Sequence, residues 1–185
     1  MVRFALAIAI ALLSGTTSAA DVQKVLGLWG SQGGPWEGYI EIFGPGSPEP
    51  QTVALSTRWD AVPDHSIVTK IETFTGPDRE TSAVTLMFED AVQGDIVTPY
   101  FINGKQRDFH FSVVSVAIVD ETHWTTVIAS PNGQEIYEDR PAELRYVRIR
   151  NGNVIENTKD VRFLDEEGNG DYERRSFIRQ TLAPE

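Results

Sequence analysis

Two tyrosine–arginine pairs in the last third of the chain have the spacing of neighbours on one face of a β-strand. Tyr146 and Arg148 are two residues apart, and so are Tyr172 and Arg174. Because side chains of a strand alternate between the two faces of a sheet, each pair lies on a single face. A guanidinium that faced an interior would need a counter-charge, and a ligand carboxylate could supply it through two parallel hydrogen bonds.

The same arginines also fit a structural role. If both pairs face outward, the guanidinium groups would form ion pairs across strands with Glu143, Glu156 or Glu173. Arginine is mostly exposed in folded proteins, which favours this alternative. The decision depends on which residues of 142–150 and 172–181 face inward.

Aromatic side chains form the other candidate lining. Trp36, Trp59, Phe109, Phe111 and Trp124 fall in apolar stretches, where they would either line a cavity or fill it. A barrel of about eight strands is only just wide enough for side chains or one small ligand. The predicted ligand-binding residues are therefore Tyr146, Arg148, Tyr172, Arg174, Trp36, Trp59, Phe111 and Trp124.

The three histidines give a weaker indication of catalysis. His65 follows Asp64, which could orient it as a general base, and His123 is the second candidate. A solvated turn is the competing interpretation of residues 63–65. His110 and His123 share a predicted sheet face, but thirteen residues of chain at ~3.3 Å each separate them too far for one zinc site.

Metal, cofactor and thiol chemistry have little support in the residues. Segment 165–171 resembles part of a calcium loop, although position twelve would be Ser176 rather than glutamate, and an acidic hairpin turn is the alternative. The chain has no cysteine, which excludes disulfides and thiol catalysis. No cofactor is predicted, because neither a phosphate-binding loop nor a dinucleotide fingerprint is present.

The elements that would position these side chains are β-strands. Ten runs are rich in Val, Ile, Thr, Phe and Tyr, and several alternate with a period of two. Asn103-Gly104, Asn132-Gly133 and Asn151-Gly152 each lie between such runs, as hairpin turns prefer, and Asp120-Glu121 is a further tight link. The runs are 36–43, 53–59, 67–73, 82–89, 95–102, 106–119, 122–130, 142–150, 153–163 and 172–181.

One short helix precedes the strands. Val22, Val25, Leu26 and Trp29 fall at i, i+3, i+4 and i+7, with Asp21 as a possible cap. The expected fold is therefore all-β, an antiparallel up-and-down barrel of about 8–10 strands with a short N-terminal helix. No crossover helix is visible, which argues against a parallel sheet.

The first twenty residues predict export. A basic start, an apolar run from Phe4 to Leu13 and small residues up to Ala20 have the order of a cleaved signal peptide. We expect residues 1–20 to be removed and 21–185 to form a single barrel domain, periplasmic or secreted, without a later membrane span. The net charge is −11, which disfavours nucleic acid as a partner.

This layout resembles the lipocalin-like (calycin) barrels, including bacterial proteins of unknown function. Such barrels place a Gly-x-Trp at the first strand. Gly27-Leu28-Trp29 and Gly34-Pro35-Trp36 both match this motif, and the second is the better candidate because it lies at the head of the first predicted strand. The resemblance implies that an arginine of the last strand packs on this tryptophan, with Arg174, Arg175 and Arg179 as candidates. It also implies a cavity, and barrels that hold fatty acids use an Arg–Tyr pair of this kind.

Three functions follow as hypotheses. The first is a binding protein for a small apolar or carboxylate-bearing ligand. The second is a barrel-fold enzyme, an isomerase, cyclase or hydrolase that uses His65 or His123. The third is a structural or interaction module with a filled barrel, which an exposed apolar patch would indicate.

Overall fold

The computed structural model describes residues 19–44, 47, 49–131, 135–164 and 170–184 of the chain. These residues form one helix and eleven strands. In chain order the elements are α1 (Ala19–Gly30), β1 (Trp36–Ile42), β2 (Gln51–Ala61), β3 (Ile67–Thr75), β4 (Glu80–Glu89), β5 (Ile96–Ile102), β6 (Lys105–Asp120), β7 (His123–Ala129), β8 (Glu135–Tyr137), β9 (Arg140–Asn151), β10 (Val154–Phe163) and β11 (Glu173–Leu182).

Ten of the strands close into an antiparallel barrel. Strands β1 to β7 pair in sequence order, β9 pairs with both β7 and β10, and β11 joins β10 to β1. The eleventh strand, β8, lies outside the ring and pairs only with the start of β9. The predicted all-β barrel and its ten strand runs are confirmed, while the three residues of β8 were not predicted.

The helix closes one end of this barrel. Val22, Val25 and Leu26 are fully buried, Trp29 is nearly so, and α1 packs against β2, β3, β4 and β6. Burying each of these side chains stabilises the fold by about 1.5–3 kcal/mol. The predicted apolar stripe is therefore the contact between the helix and the barrel core.

The described hairpin turns form where the sequence predicts them, but Asn151-Gly152 does not adopt the predicted type I′ geometry, because only Gly152 has positive φ and Asn151 pairs with Val154. Asn103 and Gly104 both have positive φ, 51° and 73°, as a type I′ turn requires. Gly152 also has positive φ in the turn between β9 and β10, and the β6–β7 link at Asp120 is tight. Asn132-Gly133 lies outside the described residues.

A bulge in β11 reverses which side chains face the interior. Lys159 of β10 pairs with Ser176, but the next residue, Asp160, pairs with Arg174, so Arg175 has no partner in the ladder. One extra residue shifts the alternation by one step. Ser176 consequently faces inward, whereas Arg174 faces outward and donates to Asp160 at 3.0 Å.

Strands β1 and β11 approach closely at Gly38. A Cβ added there would overlap the carbonyl oxygen of Arg179 and lie 2.8 Å from Cα of Gln180. Glycine is required at this position because no side chain fits between the two backbones.

Across the described ranges, no helix has the length and apolar character needed to cross a membrane.

Candidate ligand cavity

The barrel encloses a cavity of about 380 Å³. It extends from Trp29 of the closing helix to Lys105 and Arg107 at the start of β6, which are exposed. Its apolar lining consists of Trp29, Ile40, Phe74, Met87, Ile102, Phe109, Phe111, Ile128 and Ile178. Its polar lining consists of Lys70, Glu72, Thr85, Thr98, Tyr100, Lys105, Arg107, Thr126, Tyr146, Arg148, Asn157, Lys159 and Ser176.

The charges on this lining oppose the charge of the whole chain. The protein carries a net charge of −11, yet the cavity is lined by five cationic side chains and a single carboxylate, that of Glu72. Lys70, Lys105 and Lys159 are three of only four lysines in the sequence. The cavity is therefore positively charged inside an acidic protein, which favours anions there.

Arg148 is the most unusual of these cations. Its side chain is 8% exposed, and Cζ lies 4.5 Å from the ring centroid of Trp29 and 4.4 Å from that of Trp59. Nε and Nη1 are buried and have no hydrogen-bond partner among the described residues. Burial lowers the pKa of Arg148 to about 10, against the opposing effect of the Glu72 carboxylate.

The one carboxylate of the cavity already has a partner. Glu72 forms an ion pair with Lys70, with 2.9 Å between Nζ and Oε2. Burial lowers the pKa of Lys70, and the attraction of Glu72 works in the opposite direction. Lys70 also lies over Trp59, with Nζ 5.7 Å from the ring centroid. Because the Glu72 carboxylate is paired with Lys70, the Nε and Nη1 donors of Arg148 have no acceptor among the described residues.

Lys159 of β10 lies beside two tyrosines. Its Nζ is 4.2 Å from the ring centroid of Tyr137 and 6.0 Å from that of Tyr146. Burial, followed by repulsion from Arg107, lowers the pKa of Lys159 to about 8. Burial also raises the pKa of Tyr146 above its usual range and that of Tyr100 to about 12. Both hydroxyls are therefore protonated at neutral pH and can donate hydrogen bonds.

Four of the residues predicted from sequence surround this cavity or fill its closed end. Tyr146, Arg148 and Phe111 line it, and Trp59 flanks Arg148 and lines a small adjoining pocket. Trp36 and Trp124 are buried in the core cluster instead and do not line the cavity. The aromatic residues thus divide between lining and filling, which the sequence left open.

The second tyrosine–arginine pair lies on the outer surface, in the arrangement given as the structural alternative. The hydroxyl of Tyr172 donates to Glu143, and Arg174 and Arg145 both bind Asp160 at 3.0 Å. The acceptor of Arg174 is thus an aspartate of β10, not one of the predicted glutamates. Tyr172 and Arg174 are therefore not part of the cavity.

The arginine that packs on Trp36 is Arg150 of β9, with Cζ 5.3 Å from the ring centroid. The resemblance to lipocalin-like barrels implied Arg174, Arg175 or Arg179, and this expectation was wrong. Arg175 lies over Phe163, and Arg179 pairs with Glu156 on the outside.

None of the histidines lines the cavity. Asp64 accepts a hydrogen bond from the Ser66 amide, which lowers the pKa of Asp64, and no hydrogen bond joins it to His65. His123 is exposed and bonds to Asp120 at 2.9 Å at the β6–β7 turn. The residues named for an enzyme are thus separate from this cavity.

Metal ligation has no candidate within the described ranges, where no three His, Asp or Glu side chains cluster suitably. Residues 165–169 of the segment that resembles part of a calcium loop lie outside those ranges.

Sequence reasoning missed Lys70, Glu72 and Lys159. For β3, the alternation of Ile67 and Ile71 predicts that they mark the inward face, but these side chains are 42% and 41% exposed. The inward face carries Lys70 and Glu72 instead. The scarcity of lysine was the available signal, because three of four occupy inward positions. A charged residue flanked by apolar residues is easily assigned to solvent.

Comparisons with protein-family models, with curated proteins and with solved structures find no match to this chain. The resemblance to lipocalin-like barrels therefore concerns architecture, a closed antiparallel barrel of ten strands. Function has to be argued from the cavity itself.

Proposed function

We propose that this protein is an extracytoplasmic, lipocalin-like binding protein that holds one small molecule with an apolar body and a carboxylate inside its barrel. The observation that carries the proposal is Arg148, a buried cation that faces the cavity with two unsatisfied donors. A buried charge without a full set of partners is costly to the apo protein. A ligand carboxylate would supply the missing acceptor.

The cavity suits a ligand of moderate length. Its 380 Å³ falls within the usual range of ligand pockets, about 300–1,000 Å³. At roughly 30 Å³ for each water-sized group, it would hold about a dozen non-hydrogen atoms. Medium-chain monocarboxylates such as decanoate have this size. A volume of this order also weighs against a filled barrel that serves only as an interaction module.

Two further groups support recognition of a carboxylate. The Tyr146 hydroxyl stays protonated because burial raises its pKa, so it can donate to the same anion. The apolar wall includes Phe111, Met87 and Ile128, which would bury the hydrocarbon body of the ligand. Charge-assisted hydrogen bonds contribute about 1.5–3 kcal/mol each, so one good contact changes the affinity roughly ten- to a hundredfold.

Calorimetric titration tests this proposal. Decanoate should bind native protein with one site, and decanol, which lacks the charge, should bind at least about tenfold more weakly. Arg148→Gln should lose that preference. Arg174→Gln is the matched control, because Arg174 lies on the outer surface and its partner Asp160 keeps Arg145. Equal affinities in native protein and Arg148→Gln would overturn the carboxylate proposal.

Export is inferred from the order of residues in segment 1–20. Expression of the full chain in a Gram-negative host, with mass spectrometry of the periplasmic fraction, would test it. We expect a mature chain that begins at Ala20 or Asp21. Native mass spectra of the same sample would show any retained ligand. Full-length protein confined to the cytoplasm would refute the extracytoplasmic assignment.

A further inference from the structure

We propose that the natural ligand carries two acidic groups, one held by Arg148 and the other by a second cationic point formed by Lys159 and Arg107. This inference rests on the proposed function, since it assigns the chemical class of the molecule inside the barrel. Its basis is the distribution of charge along the cavity.

Lys159 is a cavity cation that has no carboxylate partner among the described residues. Among the residues that the structure describes, no carboxylate oxygen lies within 4.0 Å of its Nζ, whereas Lys70 has Glu72. Its Nζ lies over the rings of Tyr137 and Tyr146. A lysine over aromatic rings gains some cation–π attraction, but its ammonium donors remain free for an anion.

Arg107 adds a second positive charge to the same region. It lines the cavity from β6, and repulsion between its guanidinium and the Lys159 ammonium is the largest effect of any charge on Lys159. Two cations that repel each other across a cavity are relieved by an anion between them.

The acids near Lys159 do not take that place. Glu135 of β8 and Glu138 of the following turn attract Lys159, but neither lines the cavity. Glu138 pairs with Arg175, at 3.6 Å, and Arg175 itself repels Lys159. Burial raises the pKa of Glu135, and the nearby His110 and Lys159 act in the opposite direction. The side of Lys159 that faces the cavity therefore remains positive.

The two cationic points lie at different positions along the barrel. Arg148 pairs with Asn157 in the ladder, and Lys159 lies two residues further along β10, about 7 Å at ~3.3 Å per residue. The side chains then reach different neighbours, because Arg148 contacts Trp29 and Trp59 whereas Lys159 contacts Tyr137. An extended diacid with an apolar middle spans this distance within the available volume.

Three probes of matched size test the inference by calorimetry at pH 7: nonanedioate, its monomethyl ester and nonanoate. The ester keeps the length of the diacid and removes one charge. We expect nonanedioate to bind native protein about tenfold more tightly than the ester, as a second charge-assisted contact would give. Lys159→Met should reduce this advantage to about twofold or less. Lys24→Met, a substitution on the exposed side of α1, should preserve it.

The outcomes separate this inference from the proposed function. If the ester and nonanoate bind but the diacid gains nothing, the second acidic group is refuted and the monocarboxylate function stands. If none of the three binds, the proposed function itself fails.

A measurement on native protein tests the inference without any substitution. The few lysines make the Nζ and Cε resonances of Lys159 assignable by NMR. The diacid should raise the pKa of Lys159 by one unit or more, and the monomethyl ester should not, because only the diacid brings a second negative charge. The groups that also influence this titration are Arg107, Glu135, Glu138 and Arg175. An equal pKa with both probes would overturn the inference.

Discussion

Replacing Arg148 by methionine should stabilise the apo protein while it weakens binding of a carboxylate. The pKa of Arg148 lies at about 10 instead of 12.5, so its charge costs the folded state about 3 kcal/mol at neutral pH. Against this, its contacts with Trp29 and Trp59 contribute about 0.5–1 kcal/mol each. Glu72 keeps its pair with Lys70 in the variant.

The balance predicts a gain of about 1–2 kcal/mol in the free energy of unfolding, since methionine fills most of the vacated volume without a charge. For a chain of this length, each kcal/mol corresponds to about 2–4 °C in the melting temperature, so Tm should rise by about 2–8 °C. Decanoate affinity should fall by about ten- to a hundredfold in the same variant. Such a trade between stability and function is expected where a site carries an unpaired charge.

The measurement is thermal and urea unfolding followed by circular dichroism, with calorimetric titration of decanoate alongside. Arg174→Met is the control, because Arg174 is about half exposed, and we expect a change below about 1 kcal/mol. A variant at Arg148 that melts lower than native protein and binds decanoate normally would refute the reasoning. Arg148 would then be a structural cation whose donors need no ligand.

Three further predictions follow from the same structure. The pKa of Lys159 is about 8 in the folded protein and 10.5 in the unfolded chain. Between these two pH values the unfolded chain holds more protons, so the free energy of unfolding rises with pH, by about 1–3 kcal/mol. Urea titrations at pH 7 and 9.5 should show this rise in native protein, and a similar rise in Lys159→Met would contradict it. Leu26→Ala, which opens a cavity beneath the closing helix, should cost about 2–5 kcal/mol in urea unfolding, and a loss below 1 kcal/mol would mean that the helix does not seal the barrel. Gly38→Ala should prevent normal folding because its Cβ meets the backbone of β11. Gly27→Ala, in open space on α1, should instead stabilise the folded protein by about 0.5–1 kcal/mol. Equal melting temperatures for the two variants would disprove the close approach of β1 and β11.

The sequence predicts the strands and the helix because their signals are local. Val22, Val25, Leu26 and Trp29 have the helical period, and all four contact the barrel core. Asn103-Gly104 has the residues that positive φ requires, and its turn forms as expected. The closed barrel follows because a long antiparallel meander must protect its edges.

The direction of each strand face is a non-local property, and here sequence reasoning fell short. Alternation shows that Arg174 and Ser176 share a face only if the strand is regular, and the bulge at Arg175 breaks that rule. The arginine over Trp36 comes from β9, which pairs with β7 and β10, so this contact depends on how the assembled barrel brings β9 near β1 rather than on neighbours in sequence. Lys70, Lys159 and Tyr146 all line the cavity. Which face of each strand points inward is fixed only when the strands assemble into the ring.

The stacking of Arg148 between Trp29 and Trp59 gives the molecule a built-in optical probe. Indole emission responds to the electric field along the ring, and a full positive charge sits within about 4.5 Å of two of the four tryptophans. An anion that neutralises or displaces this charge changes the spectrum of both rings, while Trp36 and Trp124 at the closed end supply a constant background. Occupancy of the barrel can thus be followed by intrinsic fluorescence, without a label and with any colourless compound.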